Sequence, residues 1–372
     1  MITSLAEKGA ENLLRHAAGT ARGDHILILH EPAELTYYDP EMVDAVVAAA
    51  RRMGAKVSLH EVPFDPNATT LPAPLVALMR SVDQTVFLAR VGDQLRFSDI
   101  GAHGPAVISY ALDAEMLGSP YGTADHRAFQ ALCHALNTVL AGAKEIRATC
   151  PLGTDFTGPG PGALKPVQDV GLRRFPMPVF APLPAKAFSG RVALPGFLLG
   201  TGSRYYQPYG LEYEGALFAE FSDGRITGFS GAPEAVASAR KHYDYVAHLF
   251  DIDRDFVHSW HAGINPGCGY GQSAAADYER WGGAAFGNPR LLHFHTCGAY
   301  APGEISWNVV DPTIIVDGVA LWEDGVLNTQ AIPGAQDILD AYPCARASFA
   351  APDRRIGLSS QPRPSTAKRV SA

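Results

Sequence analysis

The chain of 372 residues is 47% hydrophobic and 18% charged, which supplies a sizeable core and lacks the signature of disorder. Against 38 acidic side chains stand 30 basic ones, a formal charge of −8, with no basic block except the short KRV at 368–370. A phosphate-neutralising surface, and with it a nucleic-acid partner, is excluded.

Five cysteines (Cys133, Cys150, Cys268, Cys297, Cys344) are scattered without a CxxC, which argues against a disulfide framework and against a thiolate zinc site. The opening MITSLAEKGAENLLRHAAG is amphipathic and has no apolar signal core. No stretch approaches the roughly 18–20 apolar residues of a membrane span. The expectation is a cytoplasmic protein of a reducing compartment, with no membrane partner.

Residues 3–18 carry Leu5, Leu13, Leu14 and Ala17 at helical spacing. The nearly all-apolar run 24–30 behind a Gly-Asp turn predicts a buried parallel strand. An alanine-rich helix over 40–54, ended by Gly54, leads to a strand at 55–62; a helix at 74–81 and a strand at 84–91 repeat the unit. Such alternation means parallel strands with crossover helices. EPAELTYYDP follows the first strand where GxGxxG or GxxxxGK[ST] would stand in a nucleotide-binding fold, so those functions are disfavoured.

A long helix over 123–143 and a strand at 144–150 precede the Gly- and Pro-rich 151–166, read as a loop. From 174 onward prolines are dense and short strands follow, with a hairpin turning at Asp223-Gly224. A helix over 233–252 and, further on, a hairpin over 312–327 complete the pattern, and the segment from about 350 reads as poorly ordered. The predicted fold class is α/β in two domains. An open, mostly parallel N-terminal sheet domain spans 1–105, a larger α+β domain carrying the site spans 106–349, and a tail spans 350–372.

Four of the 13 histidines fall in HSWHAGINPG (258–267) and RLLHFHTCGAYAPGEISWNVVD (290–311), which also hold Glu304 and Asp311. Two imidazoles and a carboxylate on one face of a divalent ion form the facial triad of non-haem iron oxygenases. On a strand, His293 and His295 project to the same side, as cis coordination requires. Glu304 or Asp311 could supply the carboxylate across the following turn, although either could be an ordinary turn residue. His258 and His261 share a face if their segment is helical. If it is a loop, one suffices, and His261, nearer the Gly263 turn, is preferred. In TGSRYYQPYGLEYEG, Arg204, Tyr205 and Tyr206 suit an aromatic ring with an anionic substituent, or else a packed loop. Asp155 is read as a structural tie, and His103, His126, His134, His242 and His248 as structural.

The order of the GTDFT motif (153–157), the GINP turn (263–266) and the glycine-bounded HFHTCGAY (293–300) is similar to that in metalloaminopeptidases of the leucyl aminopeptidase/aminopeptidase T type. It is equally similar to their relatives, the 2,5-dihydroxypyridine 5,6-dioxygenases. The resemblance implies two metals and glutamate ligands for the peptidase branch. RRFPMPVF (173–180) has no carboxylate, and His258-Ser-Trp-His261 stands before GINP where a Glu is expected. For the dioxygenase branch it implies one iron(II), held by a His before the GINP-type turn and by a late His-x-Asp. The late pair is sought in GEISWNVVD, where Glu304 and Asp311 are the candidates.

The reading is an iron(II) dioxygenase that opens a hydroxylated, pyridine-type or other aromatic ring with O₂. His261, His293, His295 and Asp311 are assigned to the metal, His258 and Glu304 to catalysis, and Arg204, Tyr205 and Tyr206 to the substrate. The alternatives are a zinc- or cobalt-dependent aminopeptidase or other hydrolase, and a non-catalytic binder of small aromatics. Apolar content and resemblance together imply a homo-oligomer.

Overall fold

The computed structural model describes residues 4–68, 70–96, 100–163 and 171–358. Residues 164–166 of the expected loop and 359–372 of the expected tail lie outside them. Among the described residues the strands fall into sheets of five, six and eight.

The five-stranded sheet is parallel throughout, in the order Lys56–Glu61, His25–His30, Gln84–Leu88, Ala106–Ser109, Arg173–Phe175. Its first strand alternates between two cores. Ile26 and Ile28 join one apolar cluster with helix Pro40–Arg52, whereas Leu27 and Leu29 join another with helix Ala73–Arg80. A strand covered on both faces has no polar side, which is why it reads as an unbroken apolar run. The expected boundary at residue 105 falls inside this sheet, whose last two strands come from 106–109 and 173–175.

The other two sheets are antiparallel and pack face to face. The six-stranded one runs Gly210–Glu212, Phe197–Gly200, Ile305–Val310, Leu291–Thr296, Val257–Ala262, Leu183–Pro184. Aromatic rings fill the gap between the sheets. Phe156, from strand Asp155–Gly158 of the eight-stranded sheet, meets Trp260 at 5.2 Å and Phe294 at 5.1 Å between centroids. The strand at 155–158 corrects the loop expected over 151–166. Glycines and prolines flank it, but Thr154 and Thr157 tie it to Ala193 and Ile146 by side-chain hydrogen bonds. Asp155 makes a surface ion pair with Arg147 on the adjacent strand.

The segment after 350 also departs from expectation as far as it is described. Ile356 is buried, its carbonyl accepts from Trp281 Nε1 at 2.7 Å, and the Asp353 amide donates to Pro266 O at 2.8 Å. Low apolar content hid this, because one isoleucine and backbone hydrogen bonds do the anchoring. No disulfide joins the five cysteines. Burial pushes the thiols up to about 11 for Cys133 and about 12 for Cys268 and Cys297. No described helix is long and apolar enough to cross a membrane.

Two predictions follow from the packing. Phe156→Ala empties the centre of the aromatic cluster and costs about 3–5 kcal/mol, read as a lower urea midpoint with an unchanged slope. The second concerns acid. Burial holds the His126 and His242 imidazoles down to about 4, below the roughly 6.5 of an unfolded chain. Between those pH values the unfolded chain binds the extra protons, so stability is complete above about 6.5 and is lost as pH falls toward 4. Each residue adds at most about 1.4 kcal/mol per pH unit, and His126→Gln/His242→Gln flattens the measured slope.

Candidate metal centre

Strands Val257–Ala262 and Leu291–Thr296 lie side by side in the six-stranded sheet, with Trp260 opposite Phe294 and His261 opposite His293. Side chains alternate across a strand. Trp260 and Phe294 therefore point into the core between the sheets, whereas His261, His293 and His295 point to the other face, towards the parallel-sheet domain. The segment at 257–262 is a strand, neither the helix nor the loop considered from sequence. The strand is irregular between Val257 and Ser259, and His258, the unpaired residue there, does not join His261 in the cluster. Gly263 follows, where a Cβ would come within 2.1 Å of Asn288 O, so this close passage of backbone requires glycine.

One nitrogen from each of the three imidazoles lies within 4.8 Å of those of the other two. His261 Nε2 is 2.7 Å from His293 Nε2 and 3.2 Å from His295 Nε2. The outer nitrogens fix the tautomers. His261 Nδ1 donates to the Phe180 carbonyl at 3.2 Å, and His295 Nδ1 donates to Glu304 Oε1 at 3.1 Å. His261 therefore presents an Nε2 lone pair towards the other two rings. Phe286 stacks on His293 at 4.0 Å, and His293 Nδ1 is buried without a partner. Burial, reinforced by the neighbouring imidazoles, holds His261 and His293 well below the usual histidine range. They are thus in the neutral form that ligates metals. The donor set fits one divalent ion of the imidazole-binding group, iron or zinc among them.

Of the other expected residues, Glu304 reaches the site, as the hydrogen-bond partner of His295. It sits two residues before Ser306, which pairs with His295, and so on the same face of the sheet. Asp311 does not reach it. Both its carboxylate oxygens are held by Arg290, at 2.6 and 2.7 Å, in the turn beyond the strand. Of the GEISWNVVD segment, only Glu304 therefore comes next to the histidine cluster. His258 lies outside the cluster, bonded to Ser259 Oγ at 2.9 Å with its ring against Tyr300. Arg204 ion-pairs with Asp277 and Glu279, and Tyr206 donates to the Glu304 carbonyl. Neither they nor Tyr205 line the cavity in front of the histidines.

That cavity, about 130 Å³, compares with the roughly 150 Å³ of a protein cavity that holds one benzene ring. Its far wall is built by Tyr38, Arg90, Asp93, Arg96 and Tyr110, which follow the carboxyl ends of parallel strands, and by Arg174 on the last strand. Open α/β sheets bind ligands at this end, where the strand order reverses. The rule would have singled out the residues after each apolar run, including the Tyr-Tyr pair of EPAELTYYDP. Asp93 pairs with Arg96 at 2.8 Å and accepts from the Tyr110 hydroxyl at 3.3 Å.

Glu304→Gln weakens the hold on the His295 ring and is expected to lower metal affinity about 10–100-fold. The measurement is competition with a chelating dye, beside His293→Ala/His295→Ala, which removes two of the three ligands and abolishes binding.

No family model and no curated protein matches the sequence. Solved structures do match. The 2,5-dihydroxypyridine dioxygenase from Pseudomonas putida superposes with a TM-score of 0.60 at 18% identity, over 88% of this chain and 98% of that one. Wild-type AmpT from Thermus thermophilus superposes with a TM-score of 0.50 at 13% identity, over 86% and 98%. The chain is a two-domain α/β protein with the fold of these two solved structures.

Proposed function

We propose that the chain is a mononuclear, non-haem iron(II) dioxygenase that opens a hydroxylated aromatic ring. The observation that carries this reading is the convergence of three imidazoles on one point at the wall of a ring-sized cavity. Bound iron(II) would supply positions for the ring hydroxyl oxygen and O₂ and a path for electrons from the electron-rich ring to O₂. The Phe180 carbonyl and Glu304 Oε1 keep the Nδ1 protons of His261 and His295 on the outer side, so that both Nε2 atoms remain ligands. Phe286 fixes the plane of His293. Asp93, paired with Arg96 and accepting from the Tyr110 hydroxyl, is the carboxylate of the opposite cavity wall. Tyr38 and Tyr110 are held protonated by burial and serve as neutral walls.

A zinc-dependent hydrolase is the second reading, because three histidines with an open position are also a catalytic zinc set. The two-metal peptidase site has less support: no carboxylate joins the imidazole cluster among the described residues. The test is oxygen consumption by anaerobically reconstituted iron(II) protein offered mono- and dihydroxylated rings. The expected outcome is substrate-dependent O₂ uptake with loss of the ring chromophore, abolished in His293→Ala/His295→Ala. Hydrolysis of a leucine anilide by zinc-loaded protein, with no O₂ uptake by the iron form, moves the assignment to the hydrolase.

A further inference from the structure

The charges facing the cavity do not cancel. Arg90 is matched by Glu31 and Glu279, and Arg96 by Asp93. Arg174 has no ion-pair partner among the described residues, and its Nε is buried with no hydrogen bond. It lies on strand Arg173–Phe175, opposite Ile108 of the neighbouring strand, and both residues line the cavity. Tyr110 and His261 line the same cavity. The carboxylate nearest the histidines, Glu304, is engaged by His295 and forms no ion pair with Arg174.

A buried guanidinium donor left without an acceptor costs free energy. Its planar fork matches a carboxylate. We infer that the substrate ring bears a carboxylate as well as its hydroxyl, with Arg174 binding the carboxylate while the hydroxyl faces the three histidines. Such a ligand brings a carboxylate to a guanidinium that has no ion-pair partner among the described residues. The role given to the hydroxyl rests on the oxygenase reading; the carboxylate rests on Arg174.

The test is calorimetric titration under nitrogen, on metal-free and zinc(II)-loaded protein, with 2,5-dihydroxybenzoate and with hydroquinone, the same ring without the carboxylate. The wild type is expected to prefer the acid by roughly 10–100-fold, as for a charge-assisted hydrogen-bonded pair. In Arg174→Gln that ratio falls to near one, and Arg174→Lys, which keeps the charge without the fork, restores part of it. Unfolding midpoints confirm that the variants fold. A wild-type ratio near one, no binding of the acid, or an unaltered ratio in Arg174→Gln overturns the inference. Because no oxygen is consumed, the two readings fail separately. A carboxylate preference in a protein that takes up no O₂ removes the oxygenase and keeps the role of Arg174. Uptake of O₂ with rings lacking a carboxylate, and no preference in the titration, does the reverse.

Discussion

One guanidinium holds the two halves of the cavity together. Arg90, at the end of the Gln84–Leu88 strand, donates through Nε and Nη2 to Glu31 at the end of the neighbouring strand. Through Nη1 it donates to Glu279, on helix Tyr278–Ala284 of the other domain. All three side chains are buried, and the guanidinium lies over the Phe64 ring at 3.8 Å. A buried ion pair of this kind adds little net stability over apolar packing, yet losing one partner strands a charge at a cost of about 3–5 kcal/mol. What it fixes is geometry: the strand ends that carry Tyr38, Asp93 and Tyr110 are set against the sheet that carries the histidines.

The division of labour follows from the two kinds of sheet. A parallel sheet with both faces covered can offer a ligand little beyond its strand ends, and there it supplies charge and phenols. The antiparallel six-stranded sheet has one face in the aromatic core and one towards the cavity, so a single strand can supply both functions. Leu291–Thr296 does so within three residues, with His293 and His295 flanking Phe294. The ladder places His261 opposite His293, and Glu304 arrives from the start of the next strand to orient His295. A metal centre built on paired strands inherits the stiffness of the ladder.

Much of this was legible in the sequence, and the rest was hidden for specific reasons. His293 and His295 on one face follow from strand periodicity, and Leu27 and Leu29 between buried isoleucines announce a parallel strand. His261 was favoured over His258 for its nearness to Gly263. The stronger reason is its place opposite His293, which needed the pairing with Leu291–Thr296 to be visible. Asp311 looked like a ligand because it follows the histidines in sequence. Its partner Arg290 lies 21 positions upstream, at the start of the same antiparallel pair. Arg204, Tyr205 and Tyr206 form the most conspicuous aromatic-basic tract, but they pack behind the site, where Arg204 shares Glu279 with Arg90. Arg174 stands in an unremarkable stretch of the chain. Only the crossover that adds Arg173–Phe175 to the distant first domain brings it to the cavity.

The buried thiols acquire a meaning beside such a site. Thiolate is the form of cysteine that oxidants attack. Cys133, Cys268 and Cys297 sit in apolar surroundings that keep them protonated at neutral pH. The protein gains chemical endurance from that burial: its sulfur is present as packing material and almost absent as a nucleophile.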